Sequence, residues 1–474
     1  MTTVTTSREQ ASVSGSWLLH PGFIFAGVWA VAFTVWALLP PEEFFRLTGT
    51  ARYFSLSSLA YLALSLLAFV LGTTTGAALL RATGPARPRF SWDYVRLIPL
   101  LRNATTLALL IGLAASAVML YDAGRLAGGI GSLVHQYESG APWTAITEAY
   151  FLPGRLHGLT SWVHCNTAVA PLGSLGLMLE SRNRRSGTFF KGALLVGFAN
   201  AAFLAVTQSE RLALYEFMIP VAVTMLASRI AAREKIRIKR VAVLSVALVV
   251  GLAVSWLATE YGRTYLARYA AAVSAPSAGL VGWDQFLTYV VTNVNNGLFT
   301  VDHAQQFTFP LYTFNGFLTP LGLDSTGTPL VGPAFSEASR LLVEIYPSSP
   351  FTTFSLPGYA FLELGWGGLV LMYWIGSVIG VVYARLRAGE LWAIVIYPIL
   401  VVGLVDSFRI FYWTESRALI AIAYTLAFAS TVPRVLRSSA VRSSCRFAMR
   451  GAAPGWPAAN QRAIAECHDG DPST

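Results

Sequence analysis

From Ser55 to Leu80 the chain reads SLSSLAYLALSLLAFVLGTTTGAALL, 26 residues without a charged side chain. A helix crossing the hydrocarbon core of a bilayer needs about 20 mostly apolar residues, so this run reads as a membrane span. Windows of the same kind lie at 22–40, 103–121, 159–179, 191–208, 212–228, 241–259, 358–383, 391–407 and 416–433. His164, Asn166 and Asn200 interrupt the fourth and fifth of these ten. The expected fold is therefore all-α, a polytopic transmembrane helical bundle of about ten spans. Residues 1–21 are expected as a cytoplasmic N-terminal segment, 22–433 as the integral membrane domain and 434–474 as a cytoplasmic, disordered tail. The first span is expected to be retained, because no small-residue cleavage pattern follows it at Pro40-Pro41.

The composition of the 474 residues agrees. Hydrophobic residues make up 54% and charged residues 12%, about half the charge with which a soluble domain solvates its surface. An ordinary soluble enzyme is excluded, and 13% aromatics exclude a solvated disordered chain. Cys165, Cys445 and Cys467 are too few and too scattered for a disulfide framework or a metal cluster. The 31 Arg against three Lys suggest G+C-rich coding and a bacterial source.

The net charge of +10 is a topology signal. With the N-terminus inside, 24 of the 34 basic residues fall on the inner side, among them Arg81, Arg87, Arg89, Arg182, Arg233, Lys235, Arg237, Lys239, Arg240 and the arginines of the tail. The positive-inside rule then places both termini in the cytoplasm, and the localisation expected is the bacterial inner (plasma) membrane, multi-pass. Basic residues on that side meet anionic headgroups, and no nucleic-acid partner is expected. Two long segments remain outside, about 122–158 and 260–357. The latter is aromatic and broken by Pro310, Pro320, Pro329, Pro333, Pro347 and Pro350, which predicts a large outer loop carrying short interfacial helices. No internal repeat of the kind that builds many transporters is visible.

Ionisable residues in or beside spans are expensive and are functional candidates. Four clusters qualify, all at the outer boundary in this topology. Thr207-Gln-Ser-Glu-Arg211 is a very short turn between two spans, with Glu216 about one turn further in. Glu260, Arg263 and Arg268 end the seventh span, Glu260 and Arg263 sharing a helix face. Asp406, Arg409, Trp413 and Arg417 lie between the last two spans, where planar guanidinium groups can grip lipid phosphate oxygens. Asp302-His303 lies in the large loop with Glu337, Glu344 and Glu363 downstream. A histidine whose pKa is near 6.5 suits proton transfer; His135 and His157 lie in the shorter outer segment. Each cluster also has a plain structural reading, as a solvated hairpin, an aromatic belt or an anchoring pair. The sequence has no nucleotide-type Gly-rich loop, no metal-ligand spacing and no nucleophile elbow, so neither cofactor nor metal is expected.

The stretch from Pro350 to Leu371, PFTTFSLPGYAFLELGWGGLVL, followed by an apolar run ending in Tyr383-Ala-Arg-Leu-Arg387, resembles the Wzy-type oligosaccharide repeat-unit polymerases, the O-antigen and exopolysaccharide polymerase family. Ser209-Glu-Arg211 resembles the Ser-Arg turn of that family, with Glu210 inserted, and Glu363 stands where Asp is commoner. The resemblance covers about residues 190–430. It implies a glycosyltransferase using a polyprenyl-pyrophosphate-linked glycan donor, acting on the outer face of the cytoplasmic membrane and metal-independent. Arg211, Glu216, His303 and Glu363 are the catalytic candidates; Arg263, Arg268, Arg409, Arg417, Glu260 and Asp406 are the substrate-binding ones. The partners implied are polyprenyl-pyrophosphate-linked oligosaccharides, membrane lipids and other polysaccharide assembly proteins such as a chain-length regulator. The general base stays open among Glu216, Glu260, His303, Glu363 and Asp406.

Four alternatives remain at this point, one of them a purely structural partner in a polysaccharide assembly complex. An O-antigen-ligase-like glycosyltransferase would share topology and donor, and a catalytic His303 favours it. A polyprenyl-phosphate-sugar transferase needs a long acidic first outer loop, and the one holding Glu42-Glu43 is short. A transporter or flippase for lipid-linked or anionic solutes would use polar groups near mid-membrane, where Asn166 and Asn200 lie.

Overall fold

The computed structural model describes residues 16–83, 94–126, 160–183, 187–207, 212–232, 250–257, 278–309, 311–318 and 353–432, with a few isolated positions between them. Among the described residues every regular element is helical and there is no strand. The chain is a polytopic helical bundle. We label its helices α1 (Pro21–Leu38), α2 (Pro41–Thr48), α3 (Leu56–Thr83), α4 (Tyr94–Leu126), α5 (Cys165–Arg182), α6 (Thr188–Thr207), α7 (Leu212–Ala231), α8 (Ala278–His303), α9 (Leu311–Leu318), α10 (Leu356–Leu364), α11 (Gly368–Arg387), α12 (Leu391–Val405) and α13 (Ser416–Val432). The tail and the N-terminal 15 residues lie outside the described residues.

Among the described residues six helical stretches are long and apolar enough to cross a membrane: Pro21–Leu38, Leu56–Leu79, Arg96–Arg125, Thr188–Ala205, Leu212–Ala231 and the α10–α11 unit Leu356–Arg387. α12 and α13 are shorter apolar helices. Residues 250–257 are helical where the seventh span was expected. α5 occupies the fourth position and explains its polar interruptions. Cys165 through Gly176 are buried without a break, because α4, α6, α7 and α12 surround this helix. A helix enclosed by protein need not be apolar on every face. Asn166 Nδ2 donates to the Gly197 carbonyl of α6 at 2.9 Å, so its amide helps to hold the centre together.

The tightest contact in the bundle is between α3 and α11. Gly72 and Gly76 on α3 face Gly376 and Gly380 on α11, and a methyl group added at any of the four would overlap backbone of the facing helix, at Tyr373, Ser377, Phe69 and Thr73 in turn. Two small-xxx-small stripes thus let the backbones touch, the standard way for helices to associate where lipid removes the hydrophobic driving force. At the head of α11, Gly365 has φ +57°, a left-handed conformation that glycine adopts without strain, and a Cβ there would meet the Phe307 ring at 2.6 Å. This kink lets α10 turn into α11.

α8 lies across the end of the bundle where α1 finishes, here termed the distal end. Asp284 near its start pairs with Arg46 of α2 at 2.9 Å. Asn295 in its middle accepts from the Tyr53 backbone N–H at 2.7 Å and from the Trp36 indole at 3.4 Å. Asp302 at its end accepts from Tyr53, Ser55 and Ser57. From Asp284 to Asp302 the helix advances about 27 Å, all of it tied to one short connection between α1 and α3. The large loop was expected to carry short interfacial helices. α9 is a short helix of eight residues, whereas α8 runs for 26 residues and is largely buried, because Asn293, Asn295 and Asn296 find partners in the bundle while the Thr288, Thr292 and Thr300 hydroxyls donate to carbonyls of the preceding turn.

Candidate functional site: a polar floor below the distal surface

α1 and α12 run side by side in the same direction, and two hydrogen bonds fix their register. The Tyr397 hydroxyl donates to the Leu19 carbonyl, and the Trp29 indole donates to Ser407 Oγ at 3.1 Å. α12 has 15 residues, about 22 Å against a hydrocarbon core of about 30 Å. It stops at the level of Trp29, while α1 continues to Leu38, about 14 Å further. α4 gives the same result independently. Gly112 packs against the backbone of Asn166 near the start of α5, and α4 then runs on to Leu126, about 21 Å beyond. The turn between α12 and α13 and the start of α5 consequently form a floor recessed below the distal ends of their neighbours. The shortness of α12 sets the charged residues of this turn below the distal end of α1.

On this floor Glu216 of α7, 2% exposed, lies between Arg417 and His164. Arg417 Nη1 at the start of α13 is 3.7 Å from Glu216 Oε1, and His164 Nδ1, at the head of α5, is 3.9 Å from Glu216 Oε2. These are ion-pair separations, wider than a hydrogen bond. The Tyr412 side chain, completely buried, faces Glu216, Arg417 and Asp406. Asp406 is 3.9 Å from Arg409 Nη1, and the Arg409 guanidinium lies over the Tyr289 ring of α8 at 5.9 Å. Glu216, His164, Arg417, Asp406 and Arg409 thus converge at one depth from separate parts of the chain. Taking charges out of water costs several kcal/mol each even after pairing, so stability alone gives no reason to keep them there.

A roof covers the floor. α9 rests against the Tyr412–Thr414 turn, and Tyr312 on α9 meets Tyr359 on α10 with ring centroids 5.1 Å apart. Glu363 holds α9 in place: its Oε1 accepts from the Thr313 backbone N–H at 2.7 Å and its Oε2 from the Thr313 hydroxyl. Both oxygens of this catalytic candidate thus cap the first turn of α9.

His303 belongs to a second polar patch, built on the α1–α3 connection and the end of α8. Its ring stacks on Phe299 with centroids 3.8 Å apart and meets Tyr53 edge-on at 5.2 Å, and its Nδ1 is 3.1 Å from the Phe299 carbonyl. Beside it, burial alone would raise the pKa of Asp302, but hydrogen bonds from Ser55, Ser57 and Tyr53 and the neighbouring His303 outweigh this and hold it below the ordinary carboxylate value. The Tyr53 hydroxyl is pushed up to about 12, by burial and by Asp302. The Arg340 guanidinium donates to the His303 carbonyl at 2.8 Å and pairs with Glu344 at 2.8 Å.

Of the sequence candidates the structure brings together Glu216, Asp406, Arg409 and Arg417, sets Glu363 in the roof and places His303 in the second patch. Arg211, Glu260, Arg263, Arg268, Glu337 and His157 lie outside the described residues. His164 and Tyr412 were missed. The available signal was that His164 heads a span rich in polar and small residues, a composition that only burial inside protein accommodates. Among the described residues no group of three or more His, Cys, Asp or Glu is arranged to hold a metal ion.

Fold and floor define the class, a multi-pass helical membrane protein with a recessed polar site. No protein-family model matches the chain, and no match exists among the curated proteins or the solved structures.

Proposed function

We propose that the chain is a membrane glycosyltransferase that polymerises lipid-linked oligosaccharide repeat units into a surface polysaccharide, with its distal end on the outer face of the cytoplasmic membrane. The observation that carries this reading is the recessed floor, where Arg409, Arg417, His164, Glu216 and Asp406 meet at a depth a lipid headgroup reaches. The positive-inside count supports the orientation, and the resemblance of residues 350–387 supports the chemistry.

In this mechanism the acceptor hydroxyl oxygen attacks the anomeric carbon of the donor glycan. The bond from that carbon to the pyrophosphate oxygen breaks, and its electron pair leaves with the polyprenyl pyrophosphate. Arg409 and Arg417, with Arg211, neutralise the charge that develops on the leaving group, the kind of electrostatic stabilisation that usually contributes most. Glu216, with His164 against its other oxygen, receives the acceptor proton. The roof of α8 and α9 keeps bulk water from competing with the sugar hydroxyl.

The test is a strain lacking the protein, complemented with wild type, Arg211→Ala or Glu216→Gln at matched membrane abundance, with surface glycan and extracted lipid-linked intermediates compared. The expected result is loss of the polymer ladder while single repeat units persist on the lipid. An unchanged glycan in the deletion strain sinks the reading and brings transport forward. Loss of attachment to the final acceptor, with polymer still made on the carrier, identifies a ligase instead.

A further inference from the structure

Next to the floor is a cavity of about 470 Å³ between α7, residues 250–257, α8 and the end of α12. Its size is that of a small-molecule or lipid-chain site. The wall is almost wholly apolar, and its aromatic side is braced. Trp256 meets Phe286 and Tyr289 edge-on, each at 5.5 Å, Trp283 stacks on Phe286 at 5.6 Å, and the Trp256 indole donates to the Gly282 carbonyl at 3.0 Å. Asp406 and Arg409 are the charged residues in this wall. The cavity is therefore continuous with the floor through Arg409, whose guanidinium is anchored over Tyr289.

From this juxtaposition of an aromatic-walled cavity with the Arg409 guanidinium we infer that the cavity holds the single isoprenoid chain of a lipid whose phosphate lies at Arg409. The inference rests on the proposed reading for the isoprenoid identity and on the geometry for the rest. A guanidinium is a planar fork of N–H donors, and phosphate oxygens match that fork two at a time. One cavity beside one cation fits one chain with one anionic head; a two-chain phospholipid would leave its second chain outside. A chain seated here enters sideways between helices, and its head reaches Arg409 and then Tyr412 and Glu216 without leaving the membrane.

The experiment uses the full-length protein in nanodiscs of phosphatidylglycerol doped with a polyprenyl monophosphate, released for native mass spectrometry to count retained lipid. Ala253 is an exposed small residue in the cavity wall, so Ala253→Trp fills the space without displacing the core. Wild type is expected to retain the polyprenyl phosphate, and both Ala253→Trp and Arg409→Gln to retain it about tenfold less. Neutral polyprenol should be lost by Ala253→Trp and be indifferent to Arg409→Gln. Retention unchanged in Ala253→Trp overturns the inference, as does equal competition by phosphatidylglycerol. Thermal unfolding of each variant at wild-type temperature guards against misfolding; if Ala253→Trp is unstable, Leu252→Phe repeats the test with less bulk. Because lipid retention is read without glycan synthesis, an unchanged glycan in the deletion strain leaves the lipid site standing, and unchanged retention leaves the glycosyl-transfer reading to its own test.

Discussion

The α3–α11 seam and the recessed floor are both buried, and they are built on opposite terms. At the seam Gly72, Gly76, Gly376 and Gly380 bring two backbones into contact with no charged group between them. At the floor Glu216 is equally buried, but it carries an ionisable carboxyl, and Arg417 and His164 stand 3.7 and 3.9 Å from its oxygens. The seam is shaped for packing alone. The floor instead gathers ionisable side chains from separate helices around one buried carboxylate.

The contrast is broken most severely at the seam. Gly376→Leu places a branched side chain against the backbone of Phe69; overpacking of this kind costs about 3 kcal/mol or more, and the expected outcome is near-complete loss of protein from the membrane fraction, read by immunoblot. At the floor, Glu216→Ala leaves the half-buried Arg417 without that carboxylate and should destabilise by about 1–3 kcal/mol, measured as a fall in apparent unfolding temperature in nanodiscs. The double variant Glu216→Gln/Arg417→Met sharpens the contrast: it should recover most of that stability while the polymer ladder stays absent. Wild-type glycan from the double variant would make the pair merely structural. A smaller effect is expected in the roof, where Thr313→Val removes the hydroxyl bond to Glu363 and should cost about 1 kcal/mol with reduced polymer length or yield. The smallest concerns pH. Asp302 has its folded pKa depressed, so its contribution is complete above the unfolded value near 3.9 and is lost as pH falls through the folded value. Hydrogen-exchange protection at the end of α8, taken relative to the intrinsic exchange rate at each pH, should therefore be flat from about pH 5 to 8 and fall only below about pH 4, and Asp302→Asn should remove that acid step.

The spans were legible because a bilayer imposes one condition, a run of apolar residues of the right length, and Ser55–Leu80 meets it in the sequence itself. α5 was harder to see, since its neighbours supply its surroundings and its own composition need not. α8 was hidden for a different reason. Its burial depends on Trp36, Tyr53 and Thr353, which supply partners to Asn293, Asn295 and Asn296 across long separations in the chain, and periodicity cannot reveal such pairing. At the site, Glu216, Asp406, Arg409 and Arg417 stood out because charge in an apolar context is costly. Glu363 stood out on the same ground, yet its carboxylate caps a helix, a use that sequence position does not distinguish from catalysis. The glycine pairs were readable as two small-xxx-small stripes, but only the folded chain shows that they meet.

The short α12 also has an electrical consequence. In the proposed orientation the floor lies about 14 Å below the outer end of α1, roughly half of a hydrocarbon core about 30 Å thick. One elementary charge crossing the whole membrane exchanges about 2.3 kcal/mol per 100 mV, so a charge carried down to Arg409 crosses about half that drop, or about 1 kcal/mol. With the cell interior negative, an anionic headgroup moves against the electrical force on its way in. Occupancy of the floor would then fall about fivefold per charge for each 100 mV, coupling a reaction that uses no transported ion to the energised state of the membrane.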